Sequence, residues 1–253
     1  MFPILKSRIH QGYRTMEFPE GVKLPDKFRG KPFLAEGSAC PENCQSCIEA
    51  CPTQALIQEG KLKIDLGKCL FCPDCQEACP QNYIQYAREF SLSARKREDL
   101  ILEMDTETLK KAQSLDKEMK RVLGRSLRLR QVSAGGCNAC EADSNVLGTI
   151  GWDMGRFGIQ FVASPRHADG ILLTGPVTQN MKLALLKTYE AIPEPKLVIA
   201  VGTCAISGGL FQTHPETCSG VEGILPVDLY IPGCPPHPSS ILEGLLRLLG
   251  RLA

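Results

Sequence analysis

Short apolar runs alternate with amphipathic segments through the C-terminal half of the chain. Apolar residues recur at helical spacing in the intervening segments 141–149, 179–191 and 239–249. Strands that alternate with helices form parallel sheets whose two faces are both covered. The pattern therefore predicts an α/β domain with a parallel sheet over residues 126–253. The predicted strands are Leu127–Val132, Ile159–Val162, Ile171–Leu173, Leu197–Val201 and Leu229–Ile231.

The first 125 residues show a different pattern and divide into three segments. Residues 1–36 contain several Pro and Gly residues and little periodicity, which indicates an extended N-terminal arm. Residues 37–90 contain a Cys-rich internal repeat. Residues 91–125 are highly charged with spaced apolar positions, and they predict a helical linker of one or two helices.

The linker carries two further signals. Asp105 and Thr106 are candidate N-caps of its second helix, and Gly124 is the candidate C′ residue. A run of basic residues without an intervening acid forms either a solvated surface or a docking face for an acidic partner or a lipid surface. These residues are Lys120, Arg121, Arg125, Arg128 and Arg130.

The overall composition excludes several classes of protein. The 253 residues include 29 Lys and Arg against 28 Asp and Glu, so the chain has no strong field to hold nucleic acid. With 43% hydrophobic and 23% charged residues, the composition is globular rather than disordered. Neither a GxGxxG nor a GxxxxGK sequence occurs, and we therefore predict no nucleotide site.

Cysteine is the outlier in this composition, with 13 residues. The N-terminus lacks the apolar core of a secretory signal, and no apolar stretch is long enough to span a membrane. We therefore expect a reducing compartment, in which clustered cysteines are typically metal ligands or catalytic groups rather than disulfides.

The first eight cysteines form a repeated motif. Residues 69–80 have the C-x2-C-x2-C-x3-C-P spacing of bacterial ferredoxins, and residues 40–52 repeat it with one extra residue in the first gap. The spacing predicts an α+β ferredoxin module over residues 37–90 with two [4Fe–4S] clusters, whose fourth ligands are exchanged between the repeats. A zinc module is the alternative, which the absence of nearby His disfavours. Cluster 1 would take Cys40, Cys44, Cys47 and Cys79, and cluster 2 would take Cys69, Cys72, Cys75 and Cys51.

Four of the remaining cysteines follow predicted strands. Cys137 and Cys140 come after the first strand, Cys204 after the fourth and Cys234 after the fifth. Because the carboxyl ends of parallel strands meet at one edge of a sheet, we expect these four side chains to lie together. An iron–sulfur cluster, separate core cysteines and a zinc site all remain open on spacing alone. Cys218 fits no spacing and is expected to be a free thiol.

Several segments carry a resemblance to known families. GGCNACEAD, RFGIQFVASPRHADGILLTGPVTQNM, VGTCAISGG and YIPGCPPHP resemble the small electron-transfer subunit of group 4 membrane-bound NiFe hydrogenases, the formate hydrogenlyase type included, and of respiratory complex I. FRGKPFLAEG, the double Cys motif and FSLSARKREDL resemble the two-cluster ferredoxin subunit of formate hydrogenlyase. The resemblance implies a fusion of two neighbouring subunits with a flavodoxin-like C-terminal domain. It also implies that Cys137, Cys140, Cys204 and Cys234 bind a third [4Fe–4S] cluster, nearest the partner large subunit.

The resemblance further implies a function in electron transfer, with no complete active site in this chain. Electrons would pass between a soluble partner, such as a ferredoxin or a formate dehydrogenase-like protein, and the active site of a hydrogenase large subunit. Membrane-domain subunits would hold the chain at the cytoplasmic side of the cell membrane. The alternative is the same path in a complex I-like or nickel-free complex that ends at a quinone or another acceptor. A third hypothesis gives the clusters a purely structural role.

Some residues near the third cysteine set depart from the family pattern. Cys137 and Cys140 are separated, as in the hydrogenases, whereas complex I has adjacent cysteines there. Asp143 stands where the family usually has Glu, and Glu141 directly follows Cys140. Either acid is a candidate for proton transfer, and the alternative is an acid that favours the N-terminus of a helix. His237 stands where complex I has Arg.

Two loops also bear on function. Residues 152–157 resemble the loop that lines the quinone-side cavity of complex I, and a turn with one buried aromatic residue is the alternative. Arg166 and His167 lie in a short polar loop, where we expect structural hydrogen bonds.

Overall fold

The computed structural model describes residues 2–35, 44–104, 109–124 and 126–252, so Cys40, Asp105, Thr106 and Arg125 lie outside the described residues. The elements of the N-terminal half are α1 (Phe2–Gln11), β1 (Pro32–Leu34), α2 (Ser46–Glu49), β2 (Leu56–Glu59), β3 (Lys61–Asp65), α3 (Asp74–Glu77), β4 (Ile84–Tyr86), β5 (Ile101–Glu103) and α4 (Lys117–Leu123). Strand β1 pairs with β4, and β2, β3 and β5 form a second antiparallel sheet.

The C-terminal half is built on a parallel sheet of five strands. Its elements are β6 (Leu127–Ser133), α5 (Ala139–Asn145), β7 (Ile159–Phe161), β8 (Gly170–Thr174), α6 (Gln179–Glu190), β9 (Leu197–Val201), α7 (Thr203–Ser207), β10 (Leu229–Ile231) and α8 (Pro238–Leu248). The strand order is β7-β6-β8-β9-β10, which is the order of flavodoxin-like folds. The predicted parallel α/β sheet is confirmed, and each predicted strand coincides with an observed strand to within one residue at either end.

Successive residues of the central strands pack into two different cores, because side chains alternate across a strand. Leu172 and Ile199 contribute to the core beneath α8, whereas Ile171, Leu173 and Val198 contribute to the core on the opposite face. That second core also contains buried residues of the Cys-rich repeat region and the start of the linker. The two halves of the chain therefore share one hydrophobic core.

The linker contains one α-helix in its described part, where the sequence predicts one or two. Among its described residues only α4 is an α-helix, and β5 adds a strand to the sheet of β2 and β3. Leu109, Ala112 and Leu115 are buried without forming a helix, since the amide of Ala112 donates to Ser93 and the amide of Leu115 donates to Leu248. These residues are therefore spaced three apart because they pack against the C-terminal half, and not because they lie on one face of a helix.

Two further features of the N-terminal half bear on the predictions. Helix α4 begins after Asp116, whose carboxylate accepts the amide of Met119 at 2.8 Å, and Gly124 at its end keeps a right-handed helical backbone. The predicted extended arm contains α1 at residues 2–11, before a stretch of turns and irregular chain up to β1. No helix within the described ranges is long and apolar enough to cross a membrane.

Candidate metal centres

The parallel sheet brings the third cysteine set to one edge. Cys137 and Cys140 follow β6, Cys204 lies at the start of α7 after β9, and Cys234 follows β10. Burial raises the pKa of Cys140, and the neighbouring charges of Cys204, Cys234 and Cys137 raise it further. The four thiols interact in this way because they lie close to one another, as the strand order predicts. Cys137 and Cys234 are exposed, so this set lies at the molecular surface.

Glycine residues allow the backbone to approach these sulfurs. Gly202 has φ +89°, and a Cβ atom at this position would lie 2.5 Å from Sγ of Cys140. A Cβ atom at Gly209 would lie 3.0 Å from Sγ of Cys204. Only glycine fits at Gly202, because a side chain there would collide with the thiol and strain the backbone.

The environment of this set suits thiolates only if a cation is bound. Burial and the nearby thiols raise the pKa of Cys204 to about 11. Although Cys234 as a whole residue is exposed, the partial burial of its thiol and the nearby Cys137 also raise its pKa. Such thiols are protonated at neutral pH in the absence of a cation, whereas coordination to a metal deprotonates a thiol outright. The donor set therefore fits a group that carries positive charge to four sulfurs.

The two cysteine motifs of the N-terminal half form a structural repeat. Helix α2 contains Cys47 and ends before Cys51. In the same way, α3 contains Cys75 and ends before Cys79. The sulfur of Cys51 accepts the amide of Ala55 at 3.2 Å. In the second repeat, the sulfur of Cys79 accepts the amide of Tyr83 at 3.3 Å. Backbone N–H groups thus point at equivalent sulfurs, as ligands of an iron–sulfur cluster require.

The structure brings the predicted set of cluster 2 together across the repeats. Burial raises the pKa of Cys69, and the nearby charges of Cys75, Cys51 and Cys72 raise it further. The hydroxyl of Tyr86 contacts the sulfur of Cys75 at 3.4 Å and donates to the carbonyl of Cys72 at 2.7 Å. Cys51 comes from the first repeat and lies near the second motif, and the exchange of fourth ligands stays a prediction.

The predicted set of cluster 1 is described only in part, since Cys40 lies outside the described residues. Cys47 is 8% exposed at the start of α2, and the sulfur of Cys44 lies 3.8 Å from the hydroxyl of Ser46. Helices α2 and α3 contact each other, which brings Cys79 towards the first motif.

Within the described residues, no group of three or more His, Cys, Asp or Glu side chains is arranged around a single metal ion. A structural zinc site needs its ligands at about 2.0–2.3 Å from one central ion. In a [4Fe–4S] cluster, by contrast, each cysteine binds a different iron atom, so the four sulfurs do not converge on one point. Proximity, burial and N–H···S contacts are therefore the features that characterise these cysteine sets.

A hydrogen bond joins the second and third cysteine sets. The hydroxyl of Thr203, next to Cys204, donates to the carbonyl of Cys69 at 2.7 Å. The same oxygen lies 3.2 Å from the carbonyl of Gly233, which precedes Cys234. Thr203 is only 1% exposed, so this contact is shielded from water. Thr203 was not predicted from the sequence, because its partner is 134 residues away and no local pattern marks the contact.

The loop that carries Cys69 is held by a partly buried ion pair. The guanidinium of Arg97 binds both carboxylate oxygens of Asp65, at 2.8 and 2.6 Å. Asp65 also accepts the amide of Gly67 at 2.9 Å, and the carbonyl of Gly67 accepts the hydroxyl of Ser207 on α7 at 2.8 Å. The linker, the repeat region and the C-terminal sheet are therefore connected at the point where the two cysteine sets meet.

The two candidate acids occupy different environments. Glu141 is 6% exposed, and its carboxylate accepts the hydroxyls of Ser133 at 2.5 Å and Thr174 at 2.6 Å. Asp143 lines a cavity of about 220 Å³ together with Cys234 and with Leu70 and Phe71 of the second cysteine motif. Burial raises the pKa of Asp143. The structure thus gives Glu141 two fixed hydrogen-bond donors and leaves Asp143 facing a cavity.

The remaining predicted positions do not all lie at this edge, since Arg166 and His167 come directly before β8. His237 also lines the cavity, caps α8 by accepting the amide of Ser239 at 3.2 Å, and has its pKa lowered by burial. Trp152 packs edge-on against His237, with ring centroids 6.0 Å apart. Arg166 and His167 are exposed in a 3₁₀ turn at Pro165–His167. Cys218 is half-buried, and its amide donates to Val177 at 2.8 Å.

Comparison with known proteins identifies the family. Residues 137–248 match the family model described as NADH ubiquinone oxidoreductase, 20 kDa subunit. A probable membrane-bound hydrogenase subunit mbhJ of Pyrococcus furiosus is 41% identical over 136 residues, which cover 54% of this chain and 81% of that protein. An NADH-quinone oxidoreductase subunit of Citrifermentans bemidjiense is 47% identical over 118 residues, which cover 47% of this chain and 69% of that protein.

Two further similarities reach comparable parts of the chain. Formate hydrogenlyase subunit 7 of Escherichia coli is 41% identical over 141 residues, which cover 55% of this chain and 54% of that protein. A chain of the archaeal membrane-bound sulfane sulfur reductase, described as a respiratory membrane complex, is 33% identical, with a TM-score of 0.47. That match covers 54% of this chain and 75% of the reductase chain. The curated relatives are named as subunits of oxidoreductase complexes. The chain therefore belongs to the family of the 20 kDa subunit of NADH ubiquinone oxidoreductase.

Proposed function

We propose that this chain is an iron–sulfur electron-transfer subunit of a membrane-bound, energy-converting NiFe hydrogenase complex of the formate hydrogenlyase type. It carries three [4Fe–4S] clusters between a soluble redox partner and the active site of a large subunit. The contact between Thr203 and Cys69 supports this proposal most directly, because it connects the side chain next to Cys204 in one cysteine set to the backbone carbonyl of Cys69 in another.

The proposed domains follow the cysteine sets. An arm at residues 1–36 precedes a two-cluster ferredoxin module at 37–90, a linker at 91–125 and the small-subunit-like domain at 126–253. The repeat around α2 and α3, with its matched N–H···S contacts, supports the ferredoxin module. The shared core of the two halves supports a fusion that acts as one unit.

Each cysteine set has a distinct place in the proposed path. Cys40, Cys44, Cys47 and Cys79 hold cluster 1, and Cys69, Cys72, Cys75 and Cys51 hold cluster 2. Cys137, Cys140, Cys204 and Cys234 hold cluster 3. A bound [4Fe–4S] cluster supplies reversible one-electron transfer. The residues of the chain bind the clusters, direct N–H groups at the sulfurs and exclude water between clusters 2 and 3.

The two ends of the path face different partners. The exposure of Cys137 and Cys234 supports a position of cluster 3 near the surface, where a large subunit can approach it. The ferredoxin module receives or releases electrons from a soluble partner such as a ferredoxin or a formate dehydrogenase-like protein. Membrane-domain subunits hold the assembly at the cytoplasmic side of the membrane. In this position Asp143, which faces the cavity beside Cys234, is better placed for proton transfer than Glu141.

A second candidate function keeps the electron path but ends it at a quinone or another acceptor, in a complex I-like or nickel-free complex. The similarity to the NADH-quinone oxidoreductase of Citrifermentans bemidjiense favours it, because that similarity is as strong as the similarity to the hydrogenase subunits. The partner large subunit distinguishes the two candidates, since only a hydrogenase holds nickel.

Metal analysis of the anaerobically purified complex tests the proposal. Three [4Fe–4S] clusters require about twelve irons per chain. The Cys204→Ser variant should lose about four of them, whereas the matched Cys218→Ser control should lose none. Zinc in place of iron, or equal iron loss in both variants, would refute the three-cluster assignment. Iron without nickel in the complex would favour the second candidate, and clusters that cannot be reduced and reoxidised would favour a structural role.

A further inference from the structure

Helix α1 presents apolar side chains that pack against no core. No residue of the helix is buried, and Phe2, Leu5 and Ile9 are 86%, 53% and 82% exposed. At 3.6 residues per turn, these three side chains fall within an arc of roughly 60° on one side of the helix. They form a nearly continuous apolar surface, which we call the α1 apolar face.

Basic side chains border this face. On the same helical projection, Lys6 lies on one side of the α1 apolar face and Arg8 on the other. His10 and Arg14 add further basic groups, and no acidic residue occurs before Glu17. This end of the chain is therefore locally basic, although the whole chain carries a net charge of only +1.

We propose that α1 lies in the plane of an anionic lipid surface, with the α1 apolar face inserted among the acyl chains. The two basic side chains that border the face can extend outwards to lipid phosphates while their apolar stems stay near the hydrocarbon. A protein groove would have to supply acids on both sides of a narrow apolar slot, whereas an anionic bilayer offers this arrangement everywhere. The charge pattern therefore favours lipid as the occupant.

The residues that follow the helix support the same orientation. Tyr13 is 86% exposed, and the guanidinium of Arg8 stacks over its ring at 4.7 Å. Tyrosine is enriched at membrane–water interfaces, where its ring sits at the level of the lipid head groups. The helix ends at Gln11, directly before Gly12. Gly12 has a left-handed φ of +60°, which directs the following chain away from the helix axis.

Co-sedimentation of the purified full-length chain with lipid vesicles tests this proposal. The protein should bind vesicles of phosphatidylcholine mixed with phosphatidylglycerol more tightly than vesicles of phosphatidylcholine alone, and added salt should weaken the difference. Each basic residue near an anionic surface strengthens binding about fivefold, so the Lys6→Ser, Arg8→Ser double variant should bind about 25-fold more weakly. The Ile9→Asp variant should lose binding.

Leu183 provides a matched control, because it is an apolar residue on α6 that is 66% exposed. The Leu183→Asp variant should bind anionic vesicles as the unmodified chain does. Failure of the unmodified chain to bind anionic vesicles, or an equal loss in Leu183→Asp, would overturn the proposal. If α1 variants instead disrupted assembly with partner subunits while the unmodified chain ignored lipid, α1 would be a protein-docking helix. Iron content is not affected by either outcome, so the test is independent of the proposed electron path.

Discussion

Replacing Thr203 with valine removes a hydroxyl and nearly preserves the shape of the side chain. In the folded chain this hydroxyl donates to the carbonyl of Cys69 at 2.7 Å, and Thr203 is 1% exposed. The variant therefore leaves a carbonyl at the junction of the two halves without this donor. An unsatisfied buried acceptor costs about 1–3 kcal/mol. We expect this cost to weaken the contact between the loop of Cys69 and α7 rather than to unfold the chain.

Hydrogen–deuterium exchange of the iron-loaded chain measures this local effect, because amide exchange reports local opening. A cost of about 1–3 kcal/mol corresponds to about 5- to 150-fold faster exchange in the segment 66–72 and in α7. The Thr203→Ser variant keeps the hydroxyl and should stay close to the unmodified chain. Freeze-quench electron paramagnetic resonance should in addition show slower electron transfer between clusters 2 and 3 in Thr203→Val alone. Unchanged exchange in Thr203→Val, or equal changes in both variants, would refute the reasoning.

Two further predictions concern the C-terminal sheet. The Gly202→Ala variant should lose iron from the third set, because its Cβ atom would lie 2.5 Å from the sulfur of Cys140. The Gly223→Ala variant is the control for backbone strain in the same iron assay, since Gly223 has φ +76° and open space around it. Burial raises the pKa of Asp228, whose carboxylate accepts the amide of Val198 at 2.9 Å. Its ionised form therefore destabilises the fold, and the free energy of unfolding falls as pH rises above the unfolded pKa of about 3.9. The Asp228→Asn variant should therefore resist denaturant better than the unmodified chain at pH 7 and equally well below pH ~3.9, and a constant difference at every pH would contradict this assignment.

The sequence predicted the C-terminal sheet well because local pattern and tertiary environment agree there. Strands buried on both faces read as apolar runs, and β8 and β9 are buried along their whole length. In the linker the same reasoning predicted a helix, which is present as α4, but not the conformation of the described chain before it. Leu109 and Leu115 have helical spacing, but packing against the C-terminal half holds them in irregular chain. Periodicity records which residues are buried and cannot tell which conformation buries them.

Cysteine spacing was equally informative about the candidate sites. The gaps of two and three residues grouped the first eight cysteines, and the positions after strands grouped Cys137, Cys140, Cys204 and Cys234. The structure places each of the sets that it fully describes in mutual proximity. Spacing works here because ligands from one short loop are constrained by chain length, and strand ends are constrained by the order of the sheet.

By itself, the sequence determined the five strands and predicted the three sets of cysteines, with Cys218 left over. Only the tertiary structure decided that the second and third sets meet, through Thr203 and the loop of Cys69. It alone also showed that Glu141 is held between two hydroxyls whereas Asp143 faces a cavity. The physical reason is the same in both cases. Local patterns fix what each segment becomes, but contacts between segments that are distant in sequence depend on how the two halves dock.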